Sequence, residues 1–317
     1  MSQKHYLITG GAGFIGSHLS ERILKEGSRV TIIDDFNTYY DPAIKHQNIA
    51  PIRSQIELVE GDIRDAILVE RTFAKANFDH IIHIAARAGV RPSIKDPKLY
   101  FTTNIDGTFN LLDACRYHGV KRFTFASSSS VYGVNKKVPF AESDALERTI
   151  SPYAATKLAG EQICSNYATL FGMHCQCLRF FTVYGPRQRP DLAISKFTKR
   201  ILAGEPIQRY GDGSTARDYT YIDDIINGII AASNYDQSDF EIFNLGGSAT
   251  TTLSELITLI EEATGKKAII EELPDQPGDV PRTYADVNKA NKLLGYAPET
   301  PIAEGIRKYV DWFRQQS

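Results

Sequence analysis

Between a strand-like run, Tyr6 to Thr9, and a helix-like one, Phe14 to Glu26, the chain reads Gly10-Gly11-Ala12-Gly13-Phe14-Ile15-Gly16. No other stretch constrains the fold so tightly. Glycines at Gly10, Gly13 and Gly16 let backbone amides approach a pyrophosphate, whose charge the following helix N-terminus favours. Ile15, Leu19 and Ile23 recur every fourth residue and predict one buried helical stripe, with Gly27 as its stop. The next strand, Arg29 to Ile33, is followed by Asp34. A carboxylate there can accept hydrogen bonds from adenosine ribose hydroxyls and repel a 2′-phosphate, which favours NAD over NADP. Asp62 and Ile63, after a third strand, are expected to flank the adenine; a solvated loop aspartate is the plain alternative for Asp62.

Strand-like and helix-like runs keep alternating. Strands are predicted at Ile56 to Val59, His80 to Ala85, Arg122 to Ala126 and Cys175 to Phe181, with helices near Thr103 to His118 and Ala154 to Phe171. This implies a parallel sheet covered on both faces, an α/β fold of the Rossmann-type doubly wound kind. Beyond Phe181 the prolines Pro186, Pro190 and Pro206 and the turn Gly211-Asp212-Gly213 loosen the pattern, so a smaller C-terminal substrate-binding lobe is expected there. Asp218 to Ser233 reads as helix and Ile242 to Leu245 as a strand returning to the main sheet. The lobes therefore interleave: 1–181 with 218–245 as the NAD-binding domain, and 182–217 with 246–317 as the substrate lobe.

With 42% hydrophobic and 23% charged residues and a formal net charge of -2, the chain reads as an ordinary globular protein. Nothing in that balance points to a nucleic-acid or membrane partner. The cysteines Cys115, Cys164, Cys175 and Cys177 lie in apolar segments without metal-ligand spacing, and read as reduced core residues of a cytoplasmic protein. The strand-like start at His5 leaves no room for a signal sequence, and no apolar stretch is long enough to span a bilayer.

Tyr153-Ala154-Ala155-Thr156-Lys157 places a phenol and an ammonium one helical turn apart, so both can face one site. A cation beside the phenol is expected to stabilise phenolate. Such a pair alone also fits an exposed helix face. The preceding Ser127-Ser128-Ser129-Ser130 follows a sheet strand, which sets hydroxyls at the crevice where such folds bind ligands.

Taken together, the glycine loop, Ser129-Ser130-Val131-Tyr132-Gly133, Tyr153-x-x-x-Lys157 and Arg217-Asp-Tyr-Thr-Tyr-Ile-Asp-Asp224 resemble the extended short-chain dehydrogenase/reductase family over essentially the whole chain. The resemblance implies an NAD-dependent enzyme acting on a nucleotide sugar, with Ser128, Tyr153 and Lys157 as its catalytic set. Asn104 matches the family asparagine near the active site, and Phe181 and Thr182 match positions flanking nicotinamide and sugar. With Gly10, Gly13, Gly16, Asp34, Asp62 and Ile63, the residues Phe14, Ile15, Asn37, Ala85 and Ala86 complete the expected cofactor contacts. A cytoplasmic homodimer, paired through the helices bearing Asn104 and Tyr153, is what the family implies.

Dehydratases of this family carry an acidic pair, and uronate decarboxylases a glutamate, just before Val-Tyr-Gly; this chain has Ser129 and Ser130. Asp34 to Lys45 and Thr182 to Asp191 look like the UDP-glucuronate 4-epimerases of plants and bacteria. On that resemblance Arg189 pairs with the sugar carboxylate, helped by Ser129, Ser130 and Thr182, while Arg187 stays unassigned. Arg217 and Arg282 match arginines that grip the diphosphate, and Tyr210 an aromatic that stacks on uracil. The rivals are an epimerase of another UDP-sugar, a UDP-glucuronate decarboxylase and an NAD-sensing binding module; a sensor would need no base, so the Ser128, Tyr153 and Lys157 set speaks against it.

Overall fold

The computed structural model describes residues 3–274 and 280–316. Chain order begins with strand β1 (His5–Thr9), helix α1 (Phe14–Lys25), β2 (Arg29–Asp34), α2 (Pro42–Ile49), β3 (Glu57–Glu60), α3 (Ala66–Lys75) and β4 (His80–His83). Two short helices, α4 (Val90–Lys95) and α5 (Pro97–Phe101), lead through a π-helical stretch, Thr102–Asp106, into α6 (Gly107–Tyr117). Then come β5 (Arg122–Ser128), the long α7 (Pro152–Phe171) and β6 (His174–Phe180).

Beyond β6 the elements shorten: β7 (Thr182–Tyr184), α8 (Ala193–Ala203), β8 (Ile207–Tyr210), β9 (Ala216–Arg217), β10 (Tyr219–Tyr221) and α9 (Ile222–Ser233). The remainder is β11 (Phe240–Leu245), β12 (Thr251–Thr252), α10 (Leu253–Thr264), β13 (Ile270–Leu273), α11 (Asn288–Leu294) and α12 (Ile302–Gln315).

Seven strands pair in parallel in the order β11-β6-β5-β4-β1-β2-β3. The order reverses between β1 and β4, which opens a crevice at the strands' carboxyl ends. Both sheet faces are covered: Leu7, Ile33 and Ile81 pack on one side with α3, α6 and α7, and Ile8, Ile32 and Ile82 on the other with α1 and α9. Near-continuous apolar runs in β1 and β2 follow from that double burial.

Polar side chains inside the sheet are satisfied by one another. Thr9 Oγ1 lies 2.6 Å from His83 Nδ1, and His83 Nε2 lies 2.9 Å from Thr108 Oγ1, so β1, β4 and α6 share one buried chain. Burial holds the His83 imidazole neutral, its pKa pushed down to about 3.

Three readings need correction. Tyr219–Tyr221 forms a strand beside β7, and helix begins only at Ile222; alternating aromatic and β-branched side chains suit an extended backbone there. β4 stops at His83, two residues early, and residues 84–89 turn along the crevice. Ile15 is only half-buried: it leaves the stripe of Leu19 and Ile23 to face the crevice. The strand ending at Leu245 does return to the main sheet, as its edge, against β6.

Candidate active site

At the crevice a cavity of about 490 Å³ is lined by Gly10, Gly13, Phe14, Ile15 and Gly16 at one wall and by Ser128, Ser130, Tyr153 and Lys157 at another. Gly10 has φ +70°, and a Cβ on it would come within 2.8 Å of Ala85 backbone. A Cβ on Gly16 would meet the Gly10 carbonyl oxygen at 2.2 Å, so the first turn of α1 can press against the loop only without side chains. Phe14, Ile15 and Gly16 of that turn, whose amides a helix leaves without internal acceptors, line the cavity.

Asp34, Asn37, Asp62, Ile63, Ala85 and Ala86 line the same cavity. Asp34 is buried and already engaged: its carboxylate accepts from the amides of Ala12 and Phe36 and pairs with Lys45 Nζ at 2.9 Å. Lys45 also stands 3.6 Å from Asp35, while Asp62 is tied to Arg64. Asn37 donates to Asp35. This donor and acceptor set fits a dinucleotide, with acidic groups at the adenosine end and α1 amides at its middle.

Asn104 is placed differently. It sits in the π-helical stretch behind the cavity wall, 2% exposed, with its side chain bonded to both backbone groups of Arg87 and to Thr156 Oγ1. Its amide fastens the 84–89 turn to α7 and has no share in the lining.

α7 starts at a Ser151 cap, which accepts from the Ala154 amide, and Pro152 fixes its first turn. That start puts Tyr153 beside Ser128 at the end of β5. Burial raises the Tyr153 pKa, and a hydrogen bond with Ser128 and the charge of Arg189 pull it back only in part. Lys157 makes no hydrogen bond to the phenol. Its ammonium donates to Ala126 O at 2.6 Å and lies 6.0 Å from the Tyr153 ring centre, and burial pushes its pKa down to about 8. One turn further, buried Glu161 pairs with Arg179 at 2.8 Å and accepts from Ser127 at 2.5 Å, bracing α7 on β5 and β6.

Phe181, Thr182 and Arg189 complete the cavity wall, and Ser129 stands outside it. Arg189 pairs with Asp191 through Nε at 2.9 Å and Nη2 at 3.0 Å, while Tyr39 donates to the same carboxylate at 3.2 Å. Arg187 turns away to Glu21 at 2.6 Å.

A second cavity, about 1070 Å³, carries Tyr210 and Arg217 with Lys196, Lys199 and Arg200. Arg282 is exposed outside that lining, its backbone bridged to Ala216 beside Arg217. Residues 189–192 divide the two spaces: Arg189 and Leu192 face the first, Pro190 and Asp191 the second. Arg91 reaches into the second with its guanidinium 5.4 Å from the Tyr210 ring centre.

Sequence reasoning missed Lys45, Tyr39 and Asp191, although all lie in segments singled out for their resemblance. It also missed Asp218, fully buried, whose carboxylate accepts from the amides of Ala285 and Gly247. Burial raises the Asp218 pKa to about 6.

Comparison with known proteins agrees with this geometry. UDP-glucuronate 4-epimerase 4 of Arabidopsis thaliana is 42% identical over 327 residues, covering 97% of this chain and 74% of that protein. The crystal structure of a Bacillus cereus UDP-glucuronic acid 4-epimerase, in complex with UDP-glucuronic acid and NAD, is 37% identical with a TM-score of 0.92, over 99% of this chain and 100% of that one. A Thermotoga maritima UDP-glucose 4-epimerase with UDP-glucose is 33% identical with a TM-score of 0.91, over 98% and 99%. A family profile described as GDP-mannose 4,6 dehydratase matches residues 7–309, and with so nearly complete a match the chain belongs to that family, within the extended short-chain dehydrogenase/reductases.

Proposed function

We propose that this chain is an NAD-dependent UDP-glucuronate 4-epimerase, interconverting UDP-glucuronate and UDP-galacturonate through a 4-keto sugar. The observation that carries the reading is that Ser128, Tyr153 and Arg189 open on the cavity that the glycine loop lines, with serines and no acid before Val131. Relatives bearing that activity at about 40% identity support it.

The glycine loop, Asp34 and Lys157 are the groups that would hold the dinucleotide. Bound NAD supplies reversible hydride acceptance at the sugar C4. Tyr153 takes the 4-hydroxyl proton and returns it, while Ser128 hydrogen-bonds the same oxygen. Burial raises the phenol pKa while Ser128 and Arg189 pull it down, and the positive charge of an oxidised nicotinamide would act in the same sense, towards the phenolate that the proton transfer needs. Arg189 and Thr182 hold the carboxylate, which keeps the C5–C6 bond of the β-keto acid out of line with the ketone. The second cavity takes the UDP moiety, with Arg217 on the diphosphate and Tyr210 on the base. The keto sugar turns about its diphosphate link between the two halves of the reaction.

The NAD-binding part comprises 1–181 with 218–245, and the UDP-sugar lobe the rest. A homodimer would cover Ile94, Phe101 and Phe109, which are 54%, 42% and 48% exposed near α5 and α6. Four buried free cysteines suit the cytoplasm. No helix among the described residues is long and apolar enough to cross a membrane.

Incubating the NAD-loaded protein with a panel of UDP-sugars and reading products by NMR tests the reading. UDP-galacturonate is expected from UDP-glucuronate without loss of carbon dioxide. A pentose product, or faster turnover of a neutral sugar, would replace it.

A further inference from the structure

We propose that Asp191 is a positioning residue that sets the preference for a uronate, by fixing Arg189 before the sugar arrives. The inference rests on the reading that Arg189 faces a C6 carboxylate. Arg189 and Asp191 are two residues apart on the loop that divides the two cavities, and the pair is bidentate. Asp191 takes hydrogens from Nε and Nη2, which leaves Nη1 outside the pair, and Arg189 also lines the cavity shared with Tyr153, Ser128 and Thr182.

Tyr39 completes the arrangement from the other lobe. Its hydroxyl donates to Asp191 Oδ2 at 3.2 Å, and its ring centre lies 5.5 Å from the Arg189 guanidinium carbon. The guanidinium is thus held by a carboxylate along one edge and by an aromatic face. Desolvation opposes the Asp191 charge, yet the arginine and the tyrosine hydroxyl hold its carboxyl below the usual range, so the anchor stays ionised. A long, flexible side chain would otherwise lose rotamer freedom on gripping a substrate; here that freedom is already lost. The gain goes only to a sugar bearing a group the guanidinium can bind bidentately or end-on, so a hydroxymethyl group gains little.

The test uses the NAD-loaded protein and the variants Asp191→Asn and Tyr39→Phe, with UDP-glucuronate, UDP-glucose and UDP. Because Asp191 also lines the second cavity, UDP binding supplies the common shift against which the sugars are compared: for Asp191→Asn the KM for UDP-glucuronate should rise roughly tenfold more than that for UDP-glucose, with kcat moving less. Tyr39→Phe, which removes one hydroxyl, should move the same constant in the same direction by less. Equal losses on all three ligands would mean a general structural role and overturn the proposal. A lower KM for the uronate would overturn it too, by showing Asp191 to be a competing anion. If the wild type itself shows no preference for UDP-glucuronate over UDP-glucose, the functional reading fails first, independently of the variants.

Discussion

Lys157 Nζ donates to the carbonyl oxygen of Ala126 at 2.6 Å and stands 6.0 Å from the centre of the Tyr153 ring. Lysine and tyrosine share a helix face without sharing a hydrogen bond, and each is shifted by burial towards its neutral form.

That has a consequence for stability. A lysine whose pKa falls to about 8 in the fold, from 10.5, holds fewer protons than in the unfolded chain across that window. Below about pH 8 its burial is a constant cost, and the cost shrinks as pH rises towards 10.5. Lys157→Met is expected to unfold at a higher temperature than wild type at pH 7, with the difference closing by pH 10, and to lose turnover. Calorimetric scans across pH check this; a lower midpoint at pH 7 would show that the Ala126 bond outweighs desolvation.

Tyr153→Phe removes the proton acceptor and leaves the ring. Turnover should fall by at least about a hundredfold, while UDP-sugar affinity changes little. Stopped assays by NMR alongside calorimetric binding separate the two, and retained turnover would name another base.

Because Lys45 pairs with Asp34 at 2.9 Å, the carboxylate that should reject a 2′-phosphate is partly neutralised in advance. Lys45→Met should therefore sharpen the preference for NADH over NADPH, by roughly tenfold in the ratio of dissociation constants. Titration calorimetry with both dinucleotides reads it. An unchanged ratio would mean that shape, not charge, makes the choice.

Arg189→Ala should impair UDP-glucuronate selectively, by about 2 to 4 kcal/mol in kcat/KM if the sugar carboxylate is left desolvated. UDP-glucose should show only the common loss that follows from a higher Tyr153 pKa once the Arg189 charge is gone, the uronate that loss and the selective one together, and some carbon dioxide should be released from the uronate. Parallel kinetics on the two sugars decide it, since equal losses would show that Arg189 does not read the carboxylate.

The parallel sheet and its crevice were legible because their signals are local: glycine spacing, apolar runs and one acid at a strand end. Tyr153 and Lys157 were legible as neighbours for the same reason, since helical spacing fixes a shared face. What Lys157 bonds to was not, because Ala126 is remote in sequence and burial is a property of the assembled fold. Asn104 shows the same limit: its side chain is consumed by Arg87 and Thr156, contacts that no local pattern announces. The Tyr219–Tyr221 strand was within reach, since its alternation has period two, but the helical run after it masked the boundary.

The loop 189–192 presents successive side chains to two different chambers. On the proposed function, a sugar nucleotide straddles it as a cord straddles a rail: base and diphosphate on one side, reacting ring on the other. The anchored half then never needs to leave while the free half turns over, and the reach of the diphosphate link limits which carbon of the ring can come before Tyr153. Regiochemistry at C4 would follow from tether length measured against a fixed edge, so that lengthening or shortening this rail by one residue should misplace the ring without touching a single catalytic group.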